Sequence, residues 1–187
     1  SRGLGDVYKR QIPFIIDATC GTPALMRPIA YGADIVIHSL TKSIGSSGLG
    51  MGGALISRKP IVTKLKNDNP YFKESFAEYI KWLPFRDTGP AASPMNSYMF
   101  LNDLRTLRPR MDMLSQSCQK VAEFLEKHSR VYQVDYLGLD SSPQHELAKK
   151  YMKLVDSDDG QGRELNRYGH LMGFRVEGPP ENARKVF

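Results

Sequence analysis

The sequence holds no uninterrupted apolar run near the ~20 residues that a membrane-spanning helix needs. Its first apolar run, Ile12 to Ile16, is short and stops at Asp17, which is not the pattern of a secretory leader. Only two cysteines occur, Cys20 and Cys118, and neither sits in a CxxC pair or beside other metal-binding residues. A disulfide scaffold and a structural zinc site are thereby excluded, and both residues read as reduced thiols of a cytoplasmic protein. No metal site is expected. Basic residues exceed acidic ones, for a net charge of +6, but they are scattered rather than gathered into a block interleaved with aromatics. Nucleic acid and membrane are therefore not expected partners. Repeats and low-complexity tracts are also lacking. What remains is a 187-residue chain with 41% apolar residues and 10% aromatics, enough for a buried core.

Residues 1–11 show no periodicity and no caps, and read as a leader or disordered appendage outside the fold. Ile12 to Ile16 then reads as a buried strand closed by a carboxylate, Asp17. A loop through Pro23 and a short segment ended by Gly32 lead to a second strand, Ala33 to His38. The glycine-rich stretch Gly45 to Gly53 lacks the G-K-S/T ending of a phosphate loop and reads as a flexible turn into a third strand, Ala54 to Ser57. A short helix is expected within 59–69. The aromatic stretch Tyr71 to Arg86 reads as core or subunit contact.

Ser93-Pro94 opens a helix, with serine as N-cap and proline at the first helical position. Met95, Tyr98, Met99, Leu101 and Leu104 are expected to form its apolar face. Pro109 opens a second helix reaching about His128, with Leu114, Cys118, Val121, Ala122 and Leu125 at helical spacing. Strands are expected at Val131–Tyr136 and His170–Val176, a short helix from Ser142 through Tyr151, a surface loop at 156–167, and a helix from Ala183. His38 reads as an interior histidine rather than a base, His145 as a surface residue, and Cys20 as a packing residue.

If the first two strands are neighbours, Asp17, Ser39, Thr41 and Lys42 meet at one sheet edge, where α/β enzymes keep their chemistry. Pyridoxal 5'-phosphate needs such a set. Lys42 would form the imine with the cofactor aldehyde. Asp17 would pair with the pyridine nitrogen, and Ser39 and Thr41 would donate hydroxyl hydrogen bonds to the phosphate.

The block D-x-T-x-x-T-P at Asp17 to Pro23, G-A-D-I-V-x-H-S-x-T-K at Gly32 to Lys42 and the pair Gly52-Gly53 resemble the cystathionine γ-synthase-like, transsulfuration branch of pyridoxal-phosphate enzymes. G-P-A-A-S-P-x-N-S-Y at Gly89 to Tyr98 and H-E-L-A-K-K-Y at His145 to Tyr151 are similar to its O-acetylhomoserine sulfhydrylase members. The resemblance covers Ile12 to Phe187. It implies an α/β chain with the aspartate-aminotransferase (fold type I) architecture. Residues 12–107 would be part of the large mixed-sheet domain that binds pyridoxal phosphate. Residues 108–187 would be a linker helix and an incomplete small α+β domain.

The resemblance also implies roles. Lys42 matches the cofactor-bearing lysine, Asp17 the pyridine partner, Ser39 and Thr41 the phosphate ligands, and Thr19 a residue beside the cofactor ring. The implied reaction is γ-replacement of O-acetylhomoserine by sulfide or a thiol. Its partners would be an amino-acid substrate and a sulfur donor, in a homo-oligomer built as a dimer of dimers. Elimination by a methionine or cystathionine γ-lyase is the alternative, and a non-catalytic cofactor-binding fragment is another. The family usually has D-N-T-F-A-T-P where this chain has D-A-T-C-G-T-P, so Ala18 lacks an amide and Cys20 replaces an aromatic. The family's stacking tyrosine and Gly-Met phosphate turn, expected upstream, and its substrate-binding arginine, expected downstream, do not stand in these residues. The chain therefore reads as a central-to-C-terminal fragment, inactive by itself.

Overall fold

Strand β1 spans Ile15–Asp17, β2 Ile35–Ser39 and β3 Gly53–Ser57, in the sheet order β1-β2-β3. They belong to a computed structural model that describes residues 12–61 and 66–184. β1 and β2 run parallel with Asp17 opposite Ile37, and β3 returns antiparallel with Gly53 opposite Ser39. A parallel pair needs a crossover. Residues 18–34 supply it through the one-turn helix Thr22–Leu25 and the 3₁₀ turn Pro28–Tyr31. Gly32 closes that turn at φ 93°, a left-handed conformation in which a side chain would be strained.

β1 and β2 form strands because Ile15-Ile16 and Ile35-Val36-Ile37 are β-branched runs suited to a pleated, packed surface. Ala18, Ala33 and Val36 are buried there, with Phe14, Ile16 and Ile29 packed against them. Asp34 fixes the start of β2. Its buried carboxylate accepts the Phe14 N–H at 2.9 Å and lies 4.0 Å from the Arg58 guanidinium.

The described residues divide into two compact units, residues 12–22 with 27–105, and residues 23–26 with 106–184. The first unit continues after β3 through short helical turns at 71–88 into helix α1, Pro94–Leu104. The cap is the expected one: Ser93 Oγ accepts the Asn96 N–H at 3.1 Å. The expected apolar face is not the buried one. Met95 and Tyr98 are 67% and 70% exposed, and Leu101 and Leu104 are exposed too, while Phe100 and Asp103 are buried.

The reason is the glycine-rich stretch. A Cβ at Gly52 would lie 2.7 Å from the Phe100 ring, and one at Gly50 would lie 3.1 Å from it. The Asp103 carboxylate accepts from the Ser46 N–H at 2.9 Å and the Ser46 hydroxyl at 2.7 Å. The stretch expected to be a flexible turn is thus wrapped on one face of α1. The aromatic stretch forms a local, partly exposed cluster, with the Phe72 and Tyr79 rings 5.1 Å apart. Of the helix expected within 59–69, residues 62–65 lie outside the described residues, and 59–61 and 66–69 are not helical.

The second unit is built on α2, Leu107–Glu126, and the antiparallel pair β4, Val131–Asp135, and β5, Gly173–Val176. Its core joins Cys118, Ala122, Tyr136 and Leu139, with Val134, Tyr168 and Met172 against them. Cys118 is a core residue as expected, but Val121 and Leu114 are exposed and Met111 and Ser115 take the inner positions. Gly138 has no room for a side chain, since a Cβ would meet Gln119 and the Tyr136 ring. Helix α3, His145–Tyr151, follows the Ser142-Pro143 turn, and residues 156–167 form the expected surface loop. The chain ends in the short helix Pro180–Arg184, with residues 185–187 outside the described residues.

Candidate functional site

Parallel pairing brings the ends of β1 and β2 to one edge of the sheet. Asp17 shares a row with Ile37, and Ser39 stands two residues on, so Asp17 and Ser39 project from the same face. Strand spacing and rise put their Cα atoms on the order of 8 Å apart. Asp17 is exposed at the strand end. Its carboxylate is held below its ordinary pKa of 3.8, first by the Thr19 hydroxyl and then by the Thr19 N–H, which donates to Oδ1 at 2.9 Å. The same threonine accepts the Ser39 N–H on its Oγ1 at 2.8 Å. Thr19 therefore ties the tips of both strands together while keeping Asp17 ionised.

Beyond Ser39 the chain makes a single wide turn, Leu40–Ile44, closed by the Gly45 N–H on the Leu40 carbonyl at 2.8 Å. Lys42 interrupts it with a non-helical backbone (φ −88°, ψ −127°) and an exposed side chain. Thr41 faces the glycine stretch. Its Oγ1 accepts the Gly52 N–H at 3.0 Å, and the Gly52 carbonyl is 3.4 Å away. The Thr41 hydroxyl is thus used first as an acceptor that pins β3 to the turn, with its proton held only loosely. Among the described residues, neither the Ser39 hydroxyl nor the Lys42 amine has a hydrogen-bond partner. An ionised carboxylate, a half-buried hydroxyl and an exposed amine are the donor and acceptor set that fits a pyridine nitrogen, a phosphate and an aldehyde.

Other residues differ from their expected surroundings. Cys20 is exposed beside this edge rather than packed. His145 is buried, with Nδ1 2.7 Å from the Leu137 carbonyl and Nε2 3.2 Å from Asp140, and its ring lies 5.3 Å from Tyr168. It belongs to the second unit's core. His38 is interior, as expected, at 6% exposure, and burial holds its pKa below 6.5 against the opposing Ala18 bond and Asp17 charge. Asp34 and Asp103 were not singled out by the sequence. Both are structural carboxylates whose partners lie 20 to 57 residues away, beyond any local spacing rule. A concavity of about 540 Å³ along β4, lined by Tyr132, Asp135 and Gln144 among others, contains none of the motif residues.

Residues 5–158 match the family described as Cys/Met metabolism PLP-dependent enzyme. The O-acetyl-L-homoserine sulfhydrylase of Leptospira meyeri is 35% identical over 93% of this chain, which spans 42% of that relative. The L-methionine gamma-lyase of Treponema denticola is 38% identical over 98% of the chain, which spans 39% of it. Among solved structures, the cystathionine gamma synthase of Xanthomonas oryzae pv. oryzae, in complex with aminoacrylate and cysteine, superposes with a TM-score of 0.77 at 26% identity, covering 97% of this chain and 40% of that one. A Campylobacter jejuni protein described as an O-acetylhomoserine (thiol)-lyase, containing pyridoxyl-lysine monophosphate, gives a TM-score of 0.77 at 29% identity over 96% of this chain and 46% of that one. The chain spans about two fifths of the length of the curated relatives it matches.

Proposed function

Since the chain belongs to the Cys/Met metabolism family of pyridoxal-phosphate-dependent enzymes, with their type I fold, we propose that it carries the lysine-bearing part of an O-acetylhomoserine sulfhydrylase. The reaction replaces the γ-acyloxy group of O-acetylhomoserine with sulfide or a thiol, giving homocysteine or methionine. The observation that carries this reading is the single edge shared by Asp17, Ser39 and Lys42. Two of the curated relatives, named O-acetyl-L-homoserine sulfhydrylase and homocysteine synthase, support the choice of reaction.

When bound, pyridoxal phosphate supplies an electron sink for charge that develops at the substrate α-carbon. Lys42 Nζ would hold the cofactor, and its amine would carry protons at the substrate's α- and β-carbons. The Asp17 carboxylate pairs with the pyridine nitrogen and keeps it protonated, which its lowered pKa favours. The Ser39 hydroxyl donates to the phosphate, and Thr41 contributes its loosely held proton. Thr19 lies beside the ring and orients Asp17.

Residues 12–107 form the cofactor-bearing domain and 108–187 the linker helix with part of the small domain. The assembly is a homotetramer, a dimer of dimers, in the cytoplasm. The exposed apolar stripe Met95, Tyr98 and Leu101 of α1 and the unpaired thiols support that setting.

A second reading is elimination from methionine or cystathionine, favoured by the 38% identity to a methionine gamma-lyase. The full-length protein, loaded with pyridoxal phosphate, is given O-acetylhomoserine with sulfide in one arm and methionine or cystathionine in the other. Homocysteine formed in the first arm supports replacement, and 2-oxobutanoate with ammonia in the second supports the lyase. Cofactor binding with turnover in neither arm leaves the non-catalytic reading.

A further inference from the structure

The turn that bears Lys42, Leu40–Ile44, is closed on itself and then anchored from α1. At its entry the Leu40 N–H donates to the Gly52 carbonyl at 2.9 Å, and the Gly52 N–H donates to Thr41 Oγ1 at 3.0 Å. At its exit the Gly45 N–H donates to the Leu40 carbonyl. A Cβ at Gly45 would lie 2.7 Å from that oxygen and 3.1 Å from the Phe100 ring, so Gly45 is held between the turn and α1. The Asp103 carboxylate then takes four bonds from the next two residues. Oδ1 accepts the Ser46 hydroxyl at 2.7 Å. Oδ2 accepts the Ser46 N–H at 2.9 Å, the Ser47 N–H at 3.3 Å and the Ser47 hydroxyl at 3.2 Å. Phe100 and Asp103, three residues apart on one helix face, are both buried.

A carboxylate costs more to bury than an apolar side chain, so packing alone would place an apolar residue at this position. Ser46 and Ser47 are themselves exposed, so holding them buries no further apolar surface. What the four bonds fix is the path of the backbone just beyond Lys42. We propose that Asp103 is a positioning residue for the Lys42 amine, acting through the closed turn Leu40–Ile44. Lys42 is exposed on a long side chain, so its reach is set by the backbone that carries it. Holding Ser46 and Ser47 keeps the turn shut and fixes the point from which Nζ extends. A reacting group held in place gains rate over a loose one, and small displacements lose it. The Ser46 hydroxyl, against the opposing effect of burial, keeps the Asp103 carboxyl below its ordinary value of 3.8, so at neutral pH it is an ionised acceptor.

This rests on Lys42 as the cofactor-bearing lysine, and the test separates the two claims. Attachment condenses the Lys42 amine with the aldehyde of pyridoxal phosphate and releases one water. Pyridoxine 5'-phosphate has an alcohol in place of the aldehyde, so it can bind but not attach. Full-length wild type, Asp103→Ala and Lys42→Ala are compared for the rate of attachment, read by borohydride trapping and peptide mass, and for affinity toward pyridoxine 5'-phosphate. Asp103→Ala is expected to slow attachment at Lys42 roughly tenfold while leaving that affinity within about twofold. A role in folding alone would lower both together. Amide hydrogen exchange without cofactor should be faster in Asp103→Ala at Gly45, whose N–H closes the turn but donates to Leu40 rather than to Asp103. Unchanged attachment, equal losses of attachment and of pyridoxine-phosphate affinity, or unchanged exchange at Gly45 each overturns the proposal. If Asp103→Ala does not fold, Ser46→Ala decides. It removes one of the four bonds and should slow attachment alone by about threefold, and no slowing contradicts the proposal. Label on another lysine, or undiminished label in Lys42→Ala, defeats the Lys42 reading instead, whereas faster exchange at Gly45 in Asp103→Ala would still establish the anchor.

Discussion

In the first unit Asp17 stands exposed at a strand end and Lys42 in the turn beyond the next, whereas in the second the buried Tyr136 hydroxyl, Ser115 hydroxyl and His145 Nδ1 are bonded to the backbone. Tyr136 shows the contrast best. Its hydroxyl donates to the Gly169 carbonyl at 2.9 Å, and burial raises its pKa far above 10.0. A hydroxyl already committed to a carbonyl holds a fold together but has nothing left for a ligand. The Ser39 hydroxyl and Lys42 amine lack such partners among the described residues, and they sit where an ionised carboxylate is already oriented. Polar chemistry thus marks both units, and only its commitment to the backbone tells the proposed binding edge from the scaffold.

The largest effect expected from breaking that comparison is at Asp17. In the full-length protein Asp17→Ala should weaken pyridoxal phosphate roughly 10- to 100-fold, the worth of a charge-assisted hydrogen bond. The melting temperature without cofactor should hardly move, because the side chain is exposed. Titrating the cofactor and melting the apoprotein check both halves. A variant that loses stability instead would make Asp17 a scaffold residue like Tyr136.

Next is Gly52→Ala. Its Cβ would sit 2.7 Å from Phe100 Cε2, and overpacking of this kind costs about 1–3 kcal/mol in urea denaturation. Adding Phe100→Leu should recover part of the loss, since the ring is what the methyl meets.

Tyr136→Phe should cost about 1 kcal/mol at neutral pH through the lost hydroxyl bond. Its pH dependence carries the sharper sign. A phenol whose pKa is raised on folding stabilises the fold fully below its ordinary value of 10.0, and that contribution is lost as pH rises above it. Wild type should lose stability in that alkaline range, and the phenylalanine variant should lose less. The variant keeps the part due to Cys118, whose thiol is also raised by burial. The smallest effect is at Ser47, whose exposed hydroxyl lies 3.2 Å from Asp103. Ser47→Ala should change stability by no more than about 0.5 kcal/mol, since the Ser46 N–H and hydroxyl still serve the same carboxylate.

The strands were legible in the sequence because runs such as Ile35 to Ile37 are β-branched and lead into polar turns, and α1 because Ser93-Pro94 is a cap with a mechanism. The buried face of α1 was not legible. Spacing shows that Met95, Tyr98 and Leu101 share a side, but not what covers it, and the partner that counts for Phe100 is a glycine stretch some fifty residues earlier. The order carboxylate, hydroxyls, lysine was legible at the candidate site. Thr19's double bond to Asp17 and Ser39 was not, since it depends on the register of two strands twenty residues apart. His145 looked like a surface residue because its neighbours Glu146, Lys149 and Lys150 are charged. Its own burial comes from the Leu137 carbonyl and Tyr168, which no helical spacing reveals.

The most direct measurement loads the full-length protein with pyridoxal phosphate, reduces it with borohydride and locates the pyridoxyl group by peptide mass. The pyridoxyl group is expected on Lys42, with Lys42→Ala unlabelled. Label on a different lysine, or equal labelling of Lys42→Ala and wild type, would contradict the assignment of this strand end as the cofactor site.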